Sequence, residues 1–238
     1  MTSVTGTLRD RWAGLLLEGM AVLGGVLLAF GVESYGVQRQ ERAAESAYLA
    51  ALELELGVNS GMVDERIAVS EERIADAARY LLEVVHATDD GGVDATEVNQ
   101  MLRDVGPFRI TRYQRGALDD LLASGGLELI RSEKIRRAIL VYSRVLEQEG
   151  SRQEAALDFW ERQMSPYYYE HASFYDFLAW EELGGRPLAD NVDIGAFSGA
   201  RAYSNLLIER RVRDRSLLRA REALAEQIDS VMILLDDT

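Results

Sequence analysis

The sequence predicts an all-α protein in which an N-terminal transmembrane helix is followed by an antiparallel helical bundle. Three observations predict it. Residues 12–32 form one apolar stretch with a single charge, residues 38–86 are rich in Ala, Leu, Glu and Arg without a proline, and apolar side chains downstream recur every three or four positions. The organisation expected is an N-terminal arm and anchor over residues 1–35 and a helical bundle domain of four to five helices over 36–238.

Residues 12–32 span 21 positions, about 31 Å as a helix, which matches the hydrocarbon thickness of a bilayer. Trp12 and Tyr35 stand near its ends, where amphipathic rings prefer the headgroup level. Its five glycines would each weaken a helix in water by about 1 kcal/mol but are common in membrane spans. The rival is a cleaved signal peptide ending near Ala29-Phe30-Gly31, against which stand the length of the stretch and the carboxylate of Glu18. Arg9 and Arg11 before the span balance Arg39 and Arg42 after it, so the charge rule leaves the orientation open. Ala21, Gly25 and Ala29 recur every four residues and offer a small-residue face for homodimerisation. Glu18 is an intramembrane acid: by default a functional candidate, and more plainly a side chain that reaches back toward the interface near Arg11 or is protonated.

Composition removes several function classes. A hydrophobic fraction of 47% excludes general disorder. The absence of cysteine excludes disulfide frameworks, thiolate zinc sites and cysteine nucleophiles, and leaves the redox compartment open. With only His86 and His171, a histidine metal site is not expected. A net charge of −14 and an isoelectric point near 4.7 argue against nonspecific binding to nucleic acid or anionic headgroups. Lys134 is the one lysine among 26 basic residues, which reads as coding bias.

Past the anchor, Val63, Ile67, Ile74, Ala78, Leu81 and Val85 make one apolar stripe of a long helix, with a kink or break expected at residues 57–61 and an end at Asp89-Asp90-Gly91-Gly92. A second helix is expected from near Thr96 to before Gly106-Pro107, and a third from about Tyr113 to Ala123, closed by Ser124-Gly125-Gly126. Ser132 should cap a fourth helix running toward Gln163 with Ile135, Ile139, Tyr142, Leu146, Ala156 and Trp160 on one side, interrupted at Gly150-Ser151. The last, residues 196–235, carries Leu217, Leu224, Ile228, Val231 and Leu235 at core spacing. Its arginines 210, 211, 213, 215, 219 and 221 interleave with Glu209, Asp214, Glu222 and Glu226, which reads as a solvated, salt-bridged face.

Two blocks resemble a known family. Glu18-Gly19, Gly25-Val26-Leu27-Leu28-Ala29, Tyr35, Glu41-Arg42, Glu45, Tyr48-Leu49 and Leu52 resemble the opening of an uncharacterised bacterial family of single-pass, membrane-anchored helical proteins without an established activity. Tyr113, Leu121-Leu122, Ser124-Gly125-Gly126, Leu129-Ile130, Arg136 and Tyr142 resemble its helix, serine-glycine turn, helix segment. Where the family carries Asn-Asn-Trp after the apolar run, this chain has Glu33-Ser34-Tyr35. The family's strongly basic N-terminal arm, only weakly basic here, implies a bacterial inner-membrane protein with a cytoplasmic arm and a periplasmic bulk.

Chemistry-bearing patterns are sparse. Residues 159–180 gather nine aromatics around Pro166 and His171, and Trp160, Tyr168, His171, Tyr175 and Trp180 are the candidates for a ligand or partner patch; packing of a bundle end is the plainer reading. His171 with Asp176, Glu181 or Glu182 would be a weak acid/base pair. No phosphate loop, dinucleotide fingerprint, serine elbow, calcium loop or zinc spacing occurs in the sequence, so no catalytic residue, metal or cofactor is assigned. The expected function is a non-enzymatic, membrane-anchored interaction or scaffold protein whose partners are the bilayer, a second copy and an unidentified protein, with no nucleic acid. The alternative is a ligand-binding sensor module built on residues 159–180.

Overall fold

The computed structural model describes residues 5–86, 105, 110–172, 193–197 and 199–237, and within the first helix the side chains of residues 20, 23 and 35–81. All regular structure among them is helical, as the sequence predicts. Helix α1 runs Thr5–His86, α2 Gly116–Ala123, α3 Glu133–Phe159, α4 Ser165–His171, α5 Ile194–Phe197 and α6 Arg201–Asp236. A 3-10 turn, Gly126–Leu129, joins α2 to the approach of α3, and a π turn, Trp160–Met164, joins α3 to α4.

The buried positions of the three long helices follow an alternation of four and three, unbroken on α6. On α6 these are Tyr203, Leu207, Arg210, Asp214, Leu217, Arg221, Leu224, Ile228 and Val231. On α3 they include Ile139, Tyr142, Leu146, Glu149, Gln153 and Ala156, followed by Trp160 at the start of the π turn, and on α1 Leu52, Leu56, Asn59, Val63, Ser70 and Ala77. A mean repeat of 3.5 residues keeps one seam facing its neighbours, the geometry of left-handed helix packing. The π turn adds one residue after Trp160. Met164 and Tyr168 therefore stay buried four apart, where an unbroken repeat would bury positions 163 and 167.

Two apolar clusters result. The lower one joins Leu52, Leu56 and Val63 to Leu118, Leu121, Ile135, Ile139, Tyr142, Leu224 and Ile228; the upper one joins Ala77 and Tyr80 to Phe159, Trp160, Tyr168, Phe197, Tyr203 and Leu217. These pairings make α6 antiparallel to α1 and α3, and make α1 and α3 parallel to each other, so the antiparallel expectation holds for two of the three helix pairs.

A strap, residues 110–132, follows α1 and α3, and side chains of those helices complete its backbone hydrogen bonds. Gln153 accepts from the Thr111 amide at 2.6 Å and donates to its carbonyl at 3.1 Å. Asn59 does the same to Gln114, accepting at 2.8 Å and donating at 2.8 Å. Glu55 accepts from the Ala117 and Leu118 amides at 2.7 and 3.3 Å, capping α2 from another helix, and Glu45 accepts from the Arg131 amide at 2.7 Å. This capture accompanies the start of α2 at Gly116 rather than at Tyr113: the backbone groups of Thr111 are bonded to Gln153 and those of Gln114 to Asn59.

The expected break at residues 57–61 is absent, as is the one at Gly150-Ser151. Gly57, Gly61 and Gly150 all face open space, while Leu56, Asn59, Val63, Glu149 and Gln153 on the opposite faces are buried. Burial of Leu56 and Val63, with the hydrogen bonds made by Asn59, Glu149 and Gln153, offsets a glycine penalty of about 1 kcal/mol per residue. Gly125 adopts φ 77°, the left-handed turn expected at Ser124-Gly125-Gly126, and Ser132 accepts from the Ile135 amide at 3.4 Å as the cap of α3. The helix expected from near Thr96 to before Gly106-Pro107 lies outside the described residues except for Val105, which is buried.

Among the described residues no helix is long and apolar enough to cross a membrane. Residues 12–32 belong to α1, but Met20 and Leu23, both exposed, are the only two of them whose side chains are described. Continuity of α1 through residues 35 and 36 means that arm and bundle meet within one helix.

Candidate functional site

The aromatic segment closes the upper end of the bundle. Trp160 meets Tyr168 edge-on at 5.4 Å, Phe197 meets Tyr203 edge-on at 4.9 Å, and Tyr167 stacks on Tyr203 at 6.0 Å. Tyr168, Phe197 and Tyr203 are wholly buried, and burial pushes the Tyr168 hydroxyl up to about 12 and raises that of Tyr203. Tyr167 donates to the Ala196 carbonyl at 2.6 Å. His171 is partly exposed, packs on the Tyr167 ring at 4.5 Å and places Nδ1 3.5 Å from the carboxylate of Asp193, whose amide donates to the His171 carbonyl at 2.9 Å. The histidine thus ties the end of α4 to the entry of α5. Trp160 and Tyr168 are core; Tyr175 and Trp180 lie outside the described residues, as do Asp176, Glu181 and Glu182.

A second set of polar residues sits between the apolar clusters, and the sequence reading missed it. Arg221 on α6 donates from Nε to Glu149 Oε1 on α3 at 3.2 Å, and from Nη1 to Ser70 Oγ on α1 at 2.6 Å and to the Arg66 carbonyl at 3.3 Å. Glu149, with no exposed surface, also accepts from Gln153 at 2.6 Å, and Gln153 holds Thr111 of the strap. One guanidinium therefore joins all three long helices and, through Glu149 and Gln153, the strap. Desolvation raises the Glu149 carboxyl above its ordinary range despite the bonds from Gln153 and Arg221. Burial, reinforced by the Glu149 carboxylate, raises the neighbouring Tyr113 hydroxyl. One turn beyond Leu217, Arg210 donates to Asp214 at 2.8 Å, both side chains buried. In the lower cluster, Asn59 also donates to the Tyr142 hydroxyl at 2.9 Å, and burial pushes that phenol up to about 12.

The solvated arginine face expected on α6 is corrected accordingly. Arg210 and Arg221 are 1% and 4% exposed and belong to the buried seam. Arg213 lies over the Phe159 ring at 4.9 Å and pairs with Glu209 at 2.7 Å, while Arg215 and Arg219 are exposed. The missed signal was available in the spacing: positions 210, 214 and 221 fall on the same four-three alternation as Leu207, Leu217 and Leu224.

Glu18, Ala21, Gly25 and Ala29 lie on α1, with side chains outside the described residues. Among the described residues, no group of three or more His, Asp or Glu side chains could hold a metal ion. No family model, curated protein or solved structure matches the chain.

Proposed function

We propose that this chain is a non-enzymatic, membrane-anchored helical interaction or scaffold protein. Residues 12–32 cross the bilayer of a bacterial inner membrane and the bundle stands on the periplasmic side, as the resemblance to the single-pass family implies. The observation that carries the reading is the continuity of α1. One helix of 82 residues, about 120 Å long, contains the apolar stretch and, without a break, supplies one wall of both apolar clusters. A bundle joined to its anchor in this way has a fixed standoff and orientation, which suits presentation of a surface to a partner. Ala21, Gly25 and Ala29 give the anchor a close-packing face for a second copy.

Two experiments test it. Full-length chain reconstituted into phospholipid vesicles should float with them and resist alkaline extraction, and recovery of intact chain from the aqueous fraction would end the anchor. Gly25→Leu should lower the crosslinked dimer yield in membranes, and an unchanged yield would remove the second copy. The sensor alternative on residues 159–180 gains no support from the described rings, since Trp160 and Tyr168 are packed against Phe159, Phe197 and Tyr203 within the core.

A further inference from the structure

The seam between α3 and α6 opens on its outer side into a groove of about 620 Å³ lined by Arg144, Glu147, Gln148, Ser151, Arg152, Ser216, Arg219, Ala220 and Ala223. Its origin is in the sequence. Core positions Leu146, Glu149, Gln153, Leu217, Arg221 and Leu224 hold the two helices together, while the flanking positions Ser151, Ser216, Ala220 and Ala223 are too small to fill the valley above them. Bridges close the seam at both ends: Arg213 donates to the Ala155 carbonyl at 3.2 Å and Gln227 to the Ala138 carbonyl at 3.2 Å.

The charge on this groove runs against that of the molecule. In a chain of net charge −14, three guanidiniums border one valley, and among the described residues no carboxylate lies within ion-pair distance of Arg144, Arg152 or Arg219. The only acid in the lining, Glu147, lies 3.9 Å from Arg115. Elsewhere on the bundle, exposed Arg137 pairs with Glu133 and exposed Arg162 with Asp158. Arg144 and Arg152 are eight residues apart on α3, about 12 Å along its axis, with Ser151 and, across the seam, Ser216 between them.

We propose that this groove binds a small multivalent oxyanion, a ligand with phosphate or carboxylate groups at both ends held by Arg144 and Arg152, with Arg219 as the third cation and the Ser151 hydroxyl beside Arg152. Guanidinium forks match both oxyanions in geometry, and the open valley admits a ligand of this size without rearrangement of the bundle.

The test is calorimetric titration of the full chain in mild non-ionic detergent with sodium tripolyphosphate and, separately, trisodium citrate. Saturable one-to-one binding of either probe is expected, and the stronger of the two identifies phosphate or carboxylate as the preferred group. Arg144→Ala combined with Arg152→Ala should weaken binding at least about tenfold, as loss of charge-assisted hydrogen bonds requires. Ala223→Leu, which fills the exposed valley without touching charge, should weaken it comparably, while Arg201→Ala on the exposed start of α6 should not. Absence of saturable binding by both probes, or equal affinity in the groove variants and the wild type, would overturn the assignment.

Discussion

Replacing Arg221 by methionine removes a side chain that reaches all three long helices. The wholly buried Glu149 carboxylate would keep its bond from Gln153 at 2.6 Å but lose the guanidinium at 3.2 Å, while the Ser70 hydroxyl would lose a donor at 2.6 Å. Breaking a buried ion pair from one side costs about 3–5 kcal/mol. Glu149 can escape part of that cost by taking up a proton, since its carboxyl is already raised by burial. The sign follows from linkage. An acid whose folded value lies above its unfolded one binds protons more tightly when folded, so its contribution is most favourable at low pH and falls as pH rises from the ordinary carboxyl range through the raised folded value. Arg221→Met should therefore cost about 3 kcal/mol or more near pH 8 and distinctly less near about pH 5. The double variant Glu149→Leu, Arg221→Met removes both charges and offers apolar volume instead. Its gain from avoided desolvation is offset by about 1 kcal/mol for each of Ser70 and Gln153 left short of a bond, so it should lie close to the wild type. Urea unfolding of the full chain in mild detergent, followed by helical circular dichroism, reads all three proteins. A single variant within about 0.5 kcal/mol of the wild type, or a double variant as damaged as the single, would refute the buried layer.

Four further outcomes follow from named contacts. Asn59→Ala should cost about 1–3 kcal/mol and expose the Gln114 amide to rapid hydrogen exchange, because the wholly buried Asn59 side chain bonds both backbone groups of Gln114 at 2.8 Å. Glu55→Ala should lower stability by about 0.5–2 kcal/mol and accelerate exchange at Ala117 and Leu118, the two amides it caps. Gly126→Ala would place a Cβ 2.9 Å from Tyr48 Cε2 and 3.0 Å from Leu121 Cδ1, an overpacking that should cost about 1–3 kcal/mol by urea unfolding. Tyr168→Ala should cost about 3–5 kcal/mol, since the ring is wholly buried against Trp160 and Phe197, and a near-neutral result would contradict the solid aromatic end.

The helical class, the Ser132 cap, the glycine turn at Gly125 and most apolar core positions of α3 and α6 were legible because each rests on local chemistry: side-chain period, cap oxygen or left-handed φ. Of the described residues in the stripe expected on α1 only Val63 is fully buried, and Ser70, Ala77 and Tyr80 take the inner face. The buried layer was not read, because charge was taken as a sign of exposure. Arg210, Asp214 and Arg221 are as polar as Arg213 and Arg215, and only their phase on the four-three repeat separates them. Asn59 was misread in the same way, as part of a weak segment with Gly57 and Gly61, whereas it sits on the buried seam and holds the strap. The strap itself depends on contacts between residues 42 to 86 positions apart, such as Gln153 with Thr111, Asn59 with Gln114 and Glu45 with Arg131, and no local pattern announces those. At the aromatic end, composition located the cluster, but the partners Phe197 and Tyr203 come from beyond the segment and turn a candidate patch into core.

The continuity of α1 can be measured directly, because the chain has no cysteine and two introduced ones would be the only labels. Gln40→Cys and Ala75→Cys, both at exposed positions of α1, flank the glycine pair 57 and 61 and are 35 residues apart. Spin-label distances on the full chain in lipid should give one narrow population centred near about 52 Å, the rise of an unbroken helix. A broad distribution, or a main population shorter by about 10 Å or more, would mean that the helix bends at the glycines and that α1 does not pass through the bundle as one rigid element.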